Sequence, residues 1–358
     1  MEHVEEERRG IGKTLVVLAV IIIVVLLLLL PPTQDMLKNL FVDPFSPQYP
    51  EQVQMTVTRT VTLDANGGHV TKYTIDVPVA EDTTAGSVKL QDVSAPQVSP
   101  SYDELWDNGT YDTMVWTGTD LYGTVTVTVT QDVTQTLYQW DLDENNVLGL
   151  TDIPNAIRTA YLGDEWNIIV SDPAITSLSE QIVGDETNVY LIARAIYDWM
   201  ISNVDYPSVI VSGEPKNSTT TLNDRVGDCD DQSMLFCALV RAAGVPAWLQ
   251  LGAIYDPDSG TMGGHGWVQM YMPTEDGGEY VTIDIVNEDF LVWMPNLFCE
   301  YTDNGNASSL KSYYSTISIY YDPAQPKPEY SEGWTVTDYQ ESEEMVTLDA
   351  IVATREEL

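Results

Sequence analysis

A cysteine at the start of a helix is the first residue in this chain with chemistry to offer. Cys229 opens the segment CDDQSMLFCALVRAA, whose pattern predicts a buried helix to about Ala243, ended by Gly244 and Pro246. The unpaired N–H groups and the macrodipole at such a position favour a thiolate. A thiolate nucleophile needs a base or a cationic partner, and imidazole suits neutral pH. Of the three histidines, His3 precedes a long apolar run and His69 lies beside a hairpin turn, which leaves His265 in GGHGW. A histidine base is oriented by a third group, often a carboxylate. Asp284 is the one acid inside the apolar strand YVTIDIV, where a charge needs a partner. Singly, each of these residues has a structural explanation. Their order and spacing make Cys229, His265 and Asp284 joint candidates for nucleophile, base and orienting acid.

The elements that must position them are legible. Asp172-Pro173 and Gly184 bracket one helix, and Ile192, Ile196, Trp199 and Met200 recur at helical spacing in a second. AWLQLGAIY, GWVQMYM and YVTIDIV read as strands, with TEDGG as the turn between the last two. A buried helix on an antiparallel sheet is an α+β layout. Upstream, QMTVTRTVTL, DANGG and HVTKYTIDVPV form a hairpin pattern, and the alternating run from Gly123 to Trp140 extends it into a β-sandwich module over 51–140. Further upstream, Thr14 to Leu30 carries no charge and rises about 25 Å as a helix, near the length of a hydrocarbon core. Arg8, Arg9 and Lys13 precede it and only Lys38 lies close behind, an asymmetry that places the N-terminus in the cytoplasm. A cleaved signal peptide is the rival reading, but Pro31 and Pro32 follow directly without a small-residue cleavage site.

The motifs around these residues resemble those of the transglutaminase-like superfamily, which has a papain-like fold. TLNDRVGDCDDQSMLFCALVRAAGVPAWLQLG is similar to its cysteine segment, GHGWVQMYM to its H-x-W strand, and YVTID to the strand that ends on the aspartate. The helix ending in WMISNVDY resembles the one that precedes the cysteine, and the whole resemblance covers about residues 165–290. It implies Cys229 as nucleophile, His265 as base and Asp284 as orienting acid, acting on carboxamides of protein or peptide substrates through a thioester, with no cofactor required for the chemistry. Trp248 stands where members often carry arginine, Gln269 where glutamate commonly follows H-x-W, and Ser233 where alanine is frequent.

A second signal lies between the two regions. In DLDENNVLGLTD, calcium-loop spacing offers Asp141, Asp143, Asn145, the carbonyl of Val147, and Asp152, with Asn146 where glycine is usual. It resembles an EF-hand or dockerin-type loop, so a structural calcium ion is one expectation and a solvated acidic turn the other. Asn108, Asn217 and Asn306 begin N-x-[ST] sequons, which in an exported chain point to a glycoprotein. Cys237 is too far along the helix from Cys229 to bridge it, and Cys299 is either free or paired with Cys237. With 55 acids against 15 bases, the formal charge of -40 excludes a general nucleic-acid binder.

The resulting expectation is an α+β chain in a fixed order: cytoplasmic N-terminus (1–13), transmembrane helix (14–30), stalk (31–50), β-sandwich module (51–140), acidic connector with the calcium-like loop (141–164), transglutaminase-like domain (165–305) and acidic C-terminal tail (306–358). It implies a single-pass cell-membrane protein with extracellular domains and a thiol peptidase, amidase or transamidating activity. The alternative is a non-catalytic module on the same fold that binds peptides or surface polymers.

Overall fold

The computed structural model describes residues 47–209 and 214–348. The readings for 1–13 and 14–30, and nearly all of the stalk, lie outside the described residues. Among the described residues no helix is long and apolar enough to cross a membrane. The chain divides into two units. One comprises residues up to Tyr49 and from Met345 onward, of which 47–49 and 345–348 are described. The other, Pro50–Glu344, holds everything that follows.

Its first layer is built on four long strands: β1 (Gln52–Asp64), β2 (Val70–Val79), β3 (Asp112–Leu121) and β4 (Thr124–Thr136). β1 and β4 pair residue for residue from Gln52↔Thr136 to Asp64↔Thr124. Threonines line the outer face of that ladder, with Thr58–Thr130 and Thr62–Thr126 hydroxyl contacts across it. The valines point inward, as a period of two requires. β2 and β3 form the core of a second sheet, and Val61 and Val127 from one sheet meet Ile75, Val77, Met114 and Trp116 from the other. The inward row of β1 contains one misfit, Arg59, which is buried.

Six helices occur among the described residues: α1 (Asn155–Tyr161), α2 (Pro173–Val183), α3 (Val189–Asn203), α4 (Ser218–Asp224), α5 (Cys229–Ala242) and α6 (Ala307–Tyr313). Asp172 caps α2 with Pro173 in its first turn, and Asn188 caps α3. α5 is buried from Asp231 to Arg241, so it is the central element of its layer. It packs on a five-stranded antiparallel sheet made mainly of β5 (Ala247–Asp256), β6 (Thr261–Met272), β7 (Glu279–Asp284) and β8 (Leu297–Thr302). The order is Asp289–Phe290, β7, β6, β5, β8.

The region read as an acidic tail from residue 306 is largely structure. It supplies α6 and two strands, β9 (Ile317–Tyr321) and β10 (Glu329–Glu341), which become the edge strands of the two sandwich sheets on β2 and β1. Layer and module are joined by buried polar groups. Gln91 and Gln135 of the sandwich bond each other, and Gln91 also bonds the backbone of Cys299 in both directions. Arg59 Nη1 meets Glu300 of β8 at 2.5 Å and Nη2 meets Glu332 of β10 at 2.9 Å.

Candidate active site

Cys229 is the first residue of α5. Asp228 caps the helix by accepting the Asp231 N–H, while the Asp231 carboxylate reaches back to the Asp228 N–H. Gly227 is needed for packing rather than for its backbone angle, since a Cβ there would press on Asp231 and Thr221 at under 3 Å. The capped end of α5 packs on β6, and the Gly266 backbone amide there acts to lower the Cys229 thiol. One turn on, the Ser233 hydroxyl donates to the Gly266 carbonyl at 3.2 Å. The Gly266 carbonyl thus ties strand to helix, and a side chain at Gly266 would collide with the Asp230 carboxylate.

His265, next to Gly266 on β6, is buried, and its Nε2 lies 2.6 Å from Asp284 Oδ2 at the end of β7. An ionised carboxylate only accepts, so Nε2 carries the proton and a neutral ring keeps Nδ1 as its acceptor. Asn287 donates its side-chain amide to the same Asp284 oxygen at 2.7 Å, and its backbone N–H to Oδ1 at 3.3 Å. The structure brings His265 and Asp284 together by direct bonding, and Cys229 opens the helix that packs on the strand carrying His265.

The electrostatics differ from the expectation for a helix start. Burial pushes the Cys229 thiol well up, and the charge of Asp230 adds to it, while the Gly266 N–H works the other way. Asp230 Oδ1 lies 3.7 Å from Cys229 Sγ. Its own carboxyl is pushed up to about 6, chiefly by burial and then by Asp228. Burial would lower His265, but Asp284, by charge and hydrogen bond, together with Asp230 and Asp289, raises it. Asp289, paired with Asp284 across the sheet edge, is pushed up to about 7 by burial and by Asp284. A reluctant thiol beside a strengthened base suits proton transfer during attack rather than a standing thiolate.

Asp230→Asn should therefore speed alkylation of Cys229 by iodoacetamide several-fold above pH of about 6, with the two rate profiles merging below it, where Asp230 is already neutral. The folded Asp230 binds its proton more tightly than the unfolded one, so its contribution to stability falls as pH rises from about 4 to about 6. The variant should lose that slope. Superimposable alkylation profiles would remove Asp230 from the account.

Sequence reasoning missed Asn287, Asp230, Asp289 and the Gly266 N–H. Asn287 carries no local signal, and its role appears only once the turn after β7 folds back. Trp248 and Gln269, noted as separate departures, are one feature: they face each other across β5 and β6, and the Trp248 indole donates to Gln269 Oε1 at 3.0 Å. Trp248 also stacks on Tyr161 with ring centroids 4.2 Å apart. A packed neutral pair thus occupies the place where the resemblance leads one to expect a charged one.

The calcium-like loop is held by its own hydrogen bonds in this structure. Asp143 accepts the N–H groups of Asn145 and Asn146, Asn188 takes the Val147 carbonyl at 2.7 Å, and Asp152 accepts the Gly149 N–H. Asn146 is not among the residues with positive φ, the conformation that the glycine position of such a loop demands. Among the described residues no three His, Cys, Asp or Glu side chains converge to hold a metal ion. The turn holding Asp141, Asp143, Asn145, Val147 and Asp152 meets the start of α3 through Asn188. The sequon residues have local roles too: Asn217 and Asn306 cap α4 and α6, and Asn108 donates to Thr113. Cys237 and Cys299 are free and buried.

Residues 176–285 match the family model described as the transglutaminase-like superfamily. Over 82 residues the chain is 32% identical to an uncharacterised protein of Haemophilus influenzae, a match spanning 22% of this chain and 22% of that relative. A candidate cysteine protease from Cytophaga hutchinsonii has a similar fold, with a TM-score of 0.57 at 19% identity over 83% of this chain and 95% of that one. The periplasmic domain of TgpA from Pseudomonas aeruginosa aligns at 11% identity over 65% of this chain and 88% of that one, with a TM-score of 0.34.

Proposed function

The chain carries a transglutaminase-like domain at residues 176–285, and from that premise we propose that it is a thiol enzyme acting on amide bonds of proteins or peptides. The observation that carries the reading is the 2.6 Å His265–Asp284 bond on the sheet against which the Cys229 end of α5 packs. Cys229 Sγ attacks the carboxamide carbon as its proton passes to His265, which returns it to the departing amine, leaving a thioester. Asp284, steadied by Asn287, holds the imidazole in its tautomer and balances its charge. The Cys229 N–H, unpaired in the first turn of α5, donates to the developing oxyanion. Water then completes hydrolysis, or an amine completes transamidation.

Mass spectrometry of a glutamine peptide incubated with the enzyme and a primary amine tests this directly. A mass gain equal to deamidation or to amine incorporation supports the reading, and an unaltered peptide rejects it for this substrate class. The second reading, a peptide-binding module on the same fold, is favoured by the raised Cys229 thiol. Saturable peptide binding without any product would establish it.

The uncharged run Thr14–Leu30 with basic residues ahead of it supports a further proposal, that the chain is anchored in the cell membrane with its folded part outside. The expected result is recovery in the membrane fraction, resistant to carbonate and high-salt extraction, with the C-terminal part digested by protease added to intact cells. Release by salt alone, or protection from that protease, would refute it.

A further inference from the structure

Away from the cysteine, a cavity of about 270 Å³ lies between the second sandwich sheet and α6. Trp106, on the short strand Glu104–Asp107 beside β3, lines it and is 45% exposed. Its indole N–H is held by Glu104 Oε2 at 2.8 Å, which orients the ring. Asp76 of β2 also lines the cavity, and its Oδ1 is buried without a hydrogen-bond partner. Three amides complete the polar wall, each fixed by the protein. Asn108 donates to Thr113 at 3.0 Å, Asn304 donates to the Asn108 carbonyl at 3.1 Å, and Asn306 accepts from the Ser308 N–H at 2.9 Å. These bonds leave the Asn108 oxygen and the Asn306 NH₂ available to a ligand.

The composition of this wall excludes several ligand classes. Neither Lys nor Arg lines it, so it offers no cationic side chain to a phosphate or a carboxylate. Asp76 is its only carboxylate, too few for a divalent cation, which takes six or more oxygens. An aromatic face opposite rigid amides and an acceptor short of a donor fits a neutral molecule with one apolar face and a rim of hydroxyls. We propose that this cavity binds a sugar ring, which makes the β-module a carbohydrate-binding element independent of the cysteine site. The ring lies on Trp106, and a hydroxyl donates to the Asp76 carboxylate.

Isothermal titration of the purified chain with glucose, galactose, mannose and N-acetylglucosamine, each to about 20 mM, tests it. Saturable binding of at least one sugar with Kd of about 1 mM is expected. Trp106→Ala and Asp76→Asn should each weaken it about tenfold. Trp106 is exposed, so its variant should keep the wild-type circular dichroism and the wild-type rate of Cys229 alkylation. The absence of binding by all four sugars overturns the proposal, as does binding that both variants leave unchanged. Binding of ethylammonium at the same cavity in place of sugars overturns it as well.

Discussion

Cys229→Ala should abolish amide turnover, by a factor on the order of 10⁴ or more, while leaving the fold intact. The substitution removes one sulfur from a partly buried position and leaves the Asp228–Asp231 cap of α5 untouched. Nothing else at the junction can form the thioester, since Asp230 and Asp289 are carboxylates and Ser233 is committed to the Gly266 carbonyl. The covalent adduct seen by mass spectrometry with a slowly deacylating glutamine ester should vanish together with turnover. His265→Ala should cost nearly as much, and the double variant little more than either single one, because nucleophile and base act as one unit. Retention of turnover within about tenfold by Cys229→Ala would end the thiol mechanism.

Arg59→Ala should carry the largest stability cost, about 3–5 kcal/mol by denaturant titration at pH 7. Arg59 and Glu300 are paired at 2.5 Å with side-chain exposures of 4% and 3%, so loss of the guanidinium strands a carboxylate in the interior. Glu332 is better solvated, and the Trp334 indole, which donates to Glu300 Oε1 at 2.9 Å, cannot replace a full charge. Burial already raises the Glu300 carboxyl, and Arg59 and Trp334 hold it down. Without Arg59 it rises further, so the folded variant binds a proton that the unfolded chain has released. Its stability then falls as pH rises above about 4, and the deficit should be smaller at pH 5 than at pH 7. Arg59→Ala combined with Glu300→Gln should recover much of the loss. A deficit under about 1 kcal/mol, or one that grows on acidification, would show that the pair does not join module to domain.

These two predictions differ in how far the sequence alone supports them. Cys229, His265 and Asp284 were legible because each sits in a local context that states its element: a helix start, a glycine-flanked strand and an acid in an apolar strand. Alternation in β1 and β4, and the caps of α2 and α5, follow from the same short-range rules, which depend on neighbours within a few residues. Arg59 reads as one polar residue in a threonine-rich strand, and only the folded chain shows that it faces inward to meet Glu300, 241 residues later. In the tail the sequence supports a strand or two but not which strands they pair with. β9 and β10 gain their order from pairing with β2 and β1, so their own hydrophobicity says little about them.

What the amino-acid sequence by itself determined is the candidate residues and the elements that bear them. Tertiary structure alone decided the surroundings of those residues. Asn287 reaches Asp284, Asp230 crowds the sulfur, and burial raises a thiol that a helix start would lower. Desolvation and through-space charge depend on which distant residues close over a group, and no spacing along the chain encodes that.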